Sequence, residues 1–178
     1  PLPTSLQEEW KASLAKLMDL TELQVPRCVI PINEDNPPIR LICLSDAGAS
    51  AGGAVVYAGV QQPNGRYTCG MVAAKSKLLD ATIPRNELSA IMLMTELAFI
   101  VKRAIGDRVS EIIYATDSTI ALSWCHNTSI QLRLFVHNRV ETIRRMIQWT
   151  LDTDKIPLYH IDGTRNIADL VTKKHNIQ

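Results

Sequence analysis

The chain has 178 residues, 46% of them hydrophobic, enough for one domain with a complete core and too few for two of comfortable size. Its 19 Lys and Arg against 18 Asp and Glu leave a formal net charge of +1, which excludes a global attraction to nucleic acid and requires any basic patch to be local. Cys28, Cys43, Cys69 and Cys125 stand far apart, with no C-x-x-C pair and no secretory leader, which argues against a zinc site or disulfide framework and for a reducing compartment.

The opening Pro1-Leu2-Pro3 reads as the start of a piece of something longer. Residues 5–20 carry Leu6, Trp10, Leu14, Leu17 and Met18 at helical spacing among Glu and Lys, which predicts an amphipathic helix. Pro26, Pro31 and Pro37-Pro38 then mark a connection, so that residues 1–38 form an N-terminal appendage and 39–178 the domain proper. Ile39 to Leu44 is nearly all apolar and runs into Ser45-Asp46-Ala47-Gly48, a buried strand followed by a turn. A second strand is expected over Ala54 to Val60. Pro63-Asn64-Gly65 is a hairpin signal, and a third strand should run from about Tyr67 to Ala74.

A long helix follows, opened by Pro84 and closed near Gly106. Its stripe of Glu87, Ile91, Met94, Ala98 and Val101 keeps a 3.6-residue period, which places Glu87 on the face that otherwise packs inward. Glu111 to Thr116 is a fourth strand, and Asp117-Ser118 can cap a short helix through Cys125. Leu132 to Trp149 is another amphipathic helix, carrying Arg133, Arg139, Arg144 and Arg145. Ile156 to Ile161 is a fifth strand, and Asn166 can cap a last helix through Lys173. This order predicts an α/β sandwich: a mixed five-stranded sheet with an antiparallel first hairpin and helices on both faces. No apolar run approaches the length needed to span a bilayer.

Four acids, Asp46, Glu87, Asp117 and Asp169, fall where apolar elements would carry carboxylates into or beside the core. Asp46 can be a turn residue, Asp117 a helix N-cap, and Asp169 a first-turn acid favoured by the helix dipole. Glu87 is harder to assign to local structure, because a carboxylate on a buried stripe requires a cation or donors, with Arg85 or Lys75 as candidates. In a three-layer sandwich the ends of the first and fourth strands are neighbours. Four acids gathered there repel one another unless metal is bound, and paired divalent ions held by oxygen anions are what phosphodiester cleavage uses.

Other chemistry is weakly signalled. No G-x-S-x-G, H-E-x-x-H, phosphate-cradling glycine loop or EF-hand loop occurs. His126, His137, His160 and His175 show no ligand spacing, and His160 is expected to be packed or capping. Trp10, Trp124 and Trp149 are expected in the core. Arg139, Arg144 and Arg145 form either a solvated face or a phosphate-tracking ridge.

Several segments, in this order, resemble one family. They are Ser45-Asp46-Ala47-Gly48 with Gly52-Gly53-Ala54-Val55-Val56-Tyr57, Ala74-Lys75-Ser76-Lys77, Thr82-Ile83-Pro84-Arg85-Asn86-Glu87-Leu88, Thr116-Asp117-Ser118 with Leu122-Ser123-Trp124, Asn138-Arg139-Val140, and Asn166-Ile167-Ala168-Asp169-Leu170. Together they resemble the ribonuclease H domain of BEL/Pao-type LTR retrotransposon polyproteins, and the stretch from Leu2 to Arg27 is similar to the connection from a preceding reverse transcriptase domain. The resemblance implies an RNase H fold and endonucleolytic cleavage of the RNA strand of RNA/DNA hybrids, in the cytoplasmic particle of a retroelement. It places two Mg²⁺ or Mn²⁺ ions on Asp46, Glu87, Asp117 and Asp169, with Asp46 bridging both, and expects Lys75, Lys77, Arg85, Ser118, Arg139 and Lys173 to meet the substrate.

Asn86 stands where a large apolar residue is common, Ile167 where proline is common, and the loop Asp162-Gly163-Thr164-Arg165 lacks the histidine of cellular and retroviral relatives. A non-catalytic spacer or interaction module of the same fold is the alternative, separable by metal titration. Proofreading exonucleases, with Asp-x-Glu on the first strand, and integrase cores, with acids ordered Asp, Asp, Glu, fit less well.

Overall fold

The computed structural model describes residues 2–19, 24, 28–30, 37–129, 131–153 and 155–171. Five strands, β1 (Ile39–Ala47), β2 (Ala51–Gln61), β3 (Tyr67–Leu78), β4 (Val109–Thr116) and β5 (Leu158–His160), form one sheet in the order β3-β2-β1-β4-β5. The first three are antiparallel, whereas β4 joins β1, and β5 joins β4, in parallel. This is the mixed sheet with an antiparallel first hairpin that the residue pattern predicts. Helices α1 (Thr4–Asp19), α2 (Ile83–Ile105), α3 (Thr119–His126) and α4 (Leu134–Leu151) complete the order. Among the described residues no helix is long and apolar enough to cross a membrane.

Strand alternation divides the apolar residues between two faces. On one, Leu41, Cys43, Val56 and Ala58 pack with Leu88, Ile91, Met94 and Val101 of α2 and Val140, Ile143 and Ile147 of α4. Each such large side chain contributes roughly 1.5–3 kcal/mol when fully buried, and this is the main core. On the other, Leu44, Val55 and Ala115 meet Ala168 in a much smaller cluster. Its cover is a short 3-10 segment, Ile167–Val171. Gly52 lets α2 come close, since a Cβ there would lie 2.7 Å from Leu79 and 3.4 Å from the Ala90 side chain.

Several boundaries depart from the sequence expectation. β1 continues through Ser45, Asp46 and Ala47, whose partners are Ala54, Gly53 and Gly52, because small residues on both strands let the ladder run on where a turn was expected. β3 reaches Leu78, four residues beyond Ala74, and so includes Lys75 and Lys77. β5 is reduced to three residues. The expected closing helix is the 3-10 segment, and Lys173 lies outside the described residues. Trp10 and Trp149 are exposed, at 63% and 60%, not core; Trp124 is half-buried against the main core. The apolar stripe of α1, with Leu6, Leu14, Leu17 and Met18, also faces solvent.

Candidate active site

The site lies where the small second cluster ends. Leu44 and Ala115 are register partners on adjacent strands; two residues further along the same rows come Asp46 and Asp117, the latter one residue beyond β4. Asp169 adjoins Ala168, the fourth member of that cluster. Glu87 enters from the first turns of α2, half-buried at the edge of the apolar stripe. Four residues distant in sequence are thus placed by strand parity, a helix start and a 3-10 turn.

Their carboxyls sense one another. Burial, foremost, raises the Glu87 pKa above its ordinary 4.5, and the negative charges of Asp117 and Asp46 add to the shift, while a hydrogen bond from Ser118 opposes it. Asp117 is raised above its ordinary 3.8, first by burial and then by Asp46, with a further push from Asp169; hydrogen bonds from its own backbone and from Asn166 partly offset these. Such crowding suits a hard cation with oxygen ligands. Among the described residues, however, no three His, Cys, Asp or Glu side chains are gathered closely enough to hold an ion as they stand.

The surrounding contacts differ from several expectations. Glu87 is satisfied by neither Arg85 nor Lys75 but by Ser118, whose hydroxyl donates to Oε2 at 2.5 Å. The same Ser118 oxygen caps α3 by accepting from Ala121 N at 3.1 Å, so this buried hydroxyl, expected to meet the substrate, is engaged with Glu87 and the helix start. Arg85 and Arg139 lie over the Phe135 ring, 4.9 and 3.5 Å from its centroid, and Arg139 Nε donates to Ser89 at 3.0 Å. Arg144 is not part of a ridge: it donates to the carbonyls of Cys125 and Asn127 at the end of α3. Arg145 lies over Trp149. Lys75 and Lys77 are exposed on β3. His160 is exposed on β5 rather than packed.

Asn166 does act as a cap, accepting from Ala168 N at 3.2 Å, and its Nδ2 also donates to Ser45 O at 3.0 Å. Asp162 turns out to cap as well, its Oδ1 accepting from Thr164 N at 2.9 Å at the start of the 3-10 segment Gly163–Arg165. In this loop Gly163 packs directly on Asp117: a Cβ would sit 3.1 Å from Oδ2. Asn86 was legible only as a departure from an apolar pattern, yet it is fully buried and bonds to three backbone groups. Ser118, Gly163 and Asn86 therefore serve the site through contacts that no local motif announces.

No curated protein matches the sequence. Among solved structures, the N-terminal RNase H domain of Rv2228c from Mycobacterium tuberculosis is similar at a TM-score of 0.51 and 13% identity, covering 75% of this chain and 91% of that one. LC11-RNase H1, isolated from compost and solved in complex with an RNA/DNA hybrid, is similar at 0.50 and 14%, covering 75% and 92%. At such identities these likenesses establish the RNase H-like fold. The profile of the Pao retrotransposon-like RNaseH-like domain matches residues 1–118, a span that takes in Asp46, Glu87 and Asp117 and stops short of Asp169. By that match over most of its length, the chain belongs to the Pao retrotransposon RNase H-like domain family.

Proposed function

We propose that this domain is a metal-dependent ribonuclease H that cuts the RNA strand of RNA/DNA hybrids during reverse transcription, working with a preceding reverse transcriptase domain in a cytoplasmic retroelement particle. The observation that carries the proposal is that partly buried Glu87 and Asp117 stand near enough to the charge of Asp46, and Asp117 to that of Asp169, for these to add to the burial that raises both pKa values, an arrangement that a cation would relieve. These four acids would hold two divalent ions, Mg²⁺ or Mn²⁺, which when bound supply an activated water and charge neutralisation at the scissile phosphate. Ser118 orients Glu87, and Asn166 supports Asp117. The exposed Lys75 and Lys77, with Arg85, Arg139 and Lys173, meet phosphates, while RNA is told from DNA by its 2′-hydroxyls and the shape of the hybrid. Crystallisation of LC11-RNase H1 with a hybrid is in keeping with this substrate class.

A non-catalytic module of the same fold is the second reading, favoured by the absence, among the described residues, of three ligands already gathered. A labelled hybrid incubated with and without Mg²⁺ or Mn²⁺, beside duplex DNA and duplex RNA, separates the two. Metal-dependent loss of the RNA strand in the hybrid alone is expected. Intact hybrid under every condition would leave the non-catalytic reading.

A further inference from the structure

Asp46 lies between two buried asparagines that hold the backbone on either side of it. Asn166 secures Ser45, the residue before. On the other side Asn86 Nδ2 donates to Gly48 O at 3.0 Å and to Ala49 O at 3.1 Å, and its Oδ1 accepts from Ala81 N at 3.1 Å. Asn86 is wholly buried, and with both amide protons and the amide oxygen engaged with backbone the side chain has no donor left to offer a ligand. The backbone it holds belongs to two segments, the turn that follows Asp46 and the loop that leads into α2. Asn86 itself immediately precedes Glu87. The spacing of two repelling carboxylates from different elements thus runs through one side chain.

We propose that Asn86 is a positioning residue: its amide locks the β1–β2 turn to the start of α2 and so fixes Asp46 relative to Glu87 before a cation arrives. This rests on the nuclease reading for its consequence, since the spacing matters only if both acids share ions. Groups that hold metal ligands in place typically change metal affinity or turnover by about 10- to 100-fold when removed. A merely structural asparagine would change melting temperature and nothing else.

The test uses the whole chain with Asn86→Asp, which keeps the shape and the acceptor but loses both donated bonds, and Asn86→Leu, which is uncharged. Mn²⁺ binding is measured by calorimetry, and kcat and KM on a hybrid separately. In both variants Mn²⁺ affinity and kcat should fall about tenfold or more, with KM for the hybrid changed by no more than about twofold and the circular dichroism of the folded domain retained. Folded variants whose Mn²⁺ affinity and kcat match the unsubstituted chain would overturn the proposal, as would variants that do not fold. If the unsubstituted chain binds Mn²⁺ but cuts no hybrid, the nuclease reading alone fails, and the calorimetric comparison still decides the role of Asn86. If it binds no Mn²⁺, both fail.

Discussion

Glu87 and Asp117 hold their protons more tightly in the folded chain than an unfolded chain would. Because both folded pKa values are raised, the native state binds more protons than the unfolded state just above pH 3.8 and 4.5, the ordinary values. Stability of the metal-free domain should therefore fall as pH rises from those values through the raised ones, and stay low above them. Melting curves in EDTA from pH 4 to 8 test this; Glu87→Gln should flatten the fall, and an unchanged slope would count against a raised Glu87 pKa. Asp162 shifts the other way, lowered chiefly by the hydrogen bonds from Thr164, as befits a solvated turn residue. The two C-terminal acids are thus distinguishable: Asp169→Asn should reduce cleavage by orders of magnitude, roughly 100-fold or more, with little change in melting temperature, whereas Asp162→Asn should be nearly silent in cleavage. The opposite ranking in paired turnover and melting measurements would move the fourth ligand to Asp162.

At the scale of elements, the close approach of α2 to the sheet depends on Gly52, where a Cβ would meet Leu79, Ala47 and Ala90. Gly52→Val should destabilise by about 1–3 kcal/mol through overpacking, read as a shift in denaturation midpoint; an unshifted midpoint would mean that α2 moves away freely. The long helix was legible because Ile91, Met94, Ala98 and Val101 repeat over many turns, and so was the hairpin at Pro63-Asn64-Gly65. Strand ends were less legible. Ser45, Asp46 and Ala47 look like a turn by residue type, yet small residues opposite them allow the pairing to continue. The stripe of α1 predicts a helix correctly but not what covers it, since periodicity reports a face and not a partner. For the candidate site, Glu87 was visible as a carboxylate on an otherwise apolar helix stripe, and Asp46 and Asp117 as acids at the ends of apolar strands. Asn86, Ser118 and Gly163 acquire their roles from contacts across 30 residues or more, to Gly48, Glu87 and Asp117, which spacing in the chain does not encode.

For the whole molecule, the net charge of +1 means that no long-range field gathers a polyanion, and the positive charge that does exist is partly spoken for. Arg40 pairs with Glu111 across β1 and β4, and Arg144 with Glu141 along α4. Arg139 is partly desolvated, its pKa lowered first by burial and then by Arg85, and two cations crowded in this way gain from a shared phosphate what neither gains from water. Lys75 and Lys77 extend the positive surface along β3. If these four and Lys173 meet phosphates, the affinity for a hybrid should fall with salt at a log–log slope of about 4 to 5, given ~0.9 per phosphate on a duplex. Lys75→Gln and Lys77→Gln should each reduce that slope by about 1 and weaken binding to all sequences alike. Binding measured by fluorescence anisotropy in EDTA, between low and physiological salt, keeps cleavage out of the comparison. Tight binding that ignores salt would show that the hybrid is held by contacts other than these cations, and the assignment of β3 to the phosphate backbone would have to be given up.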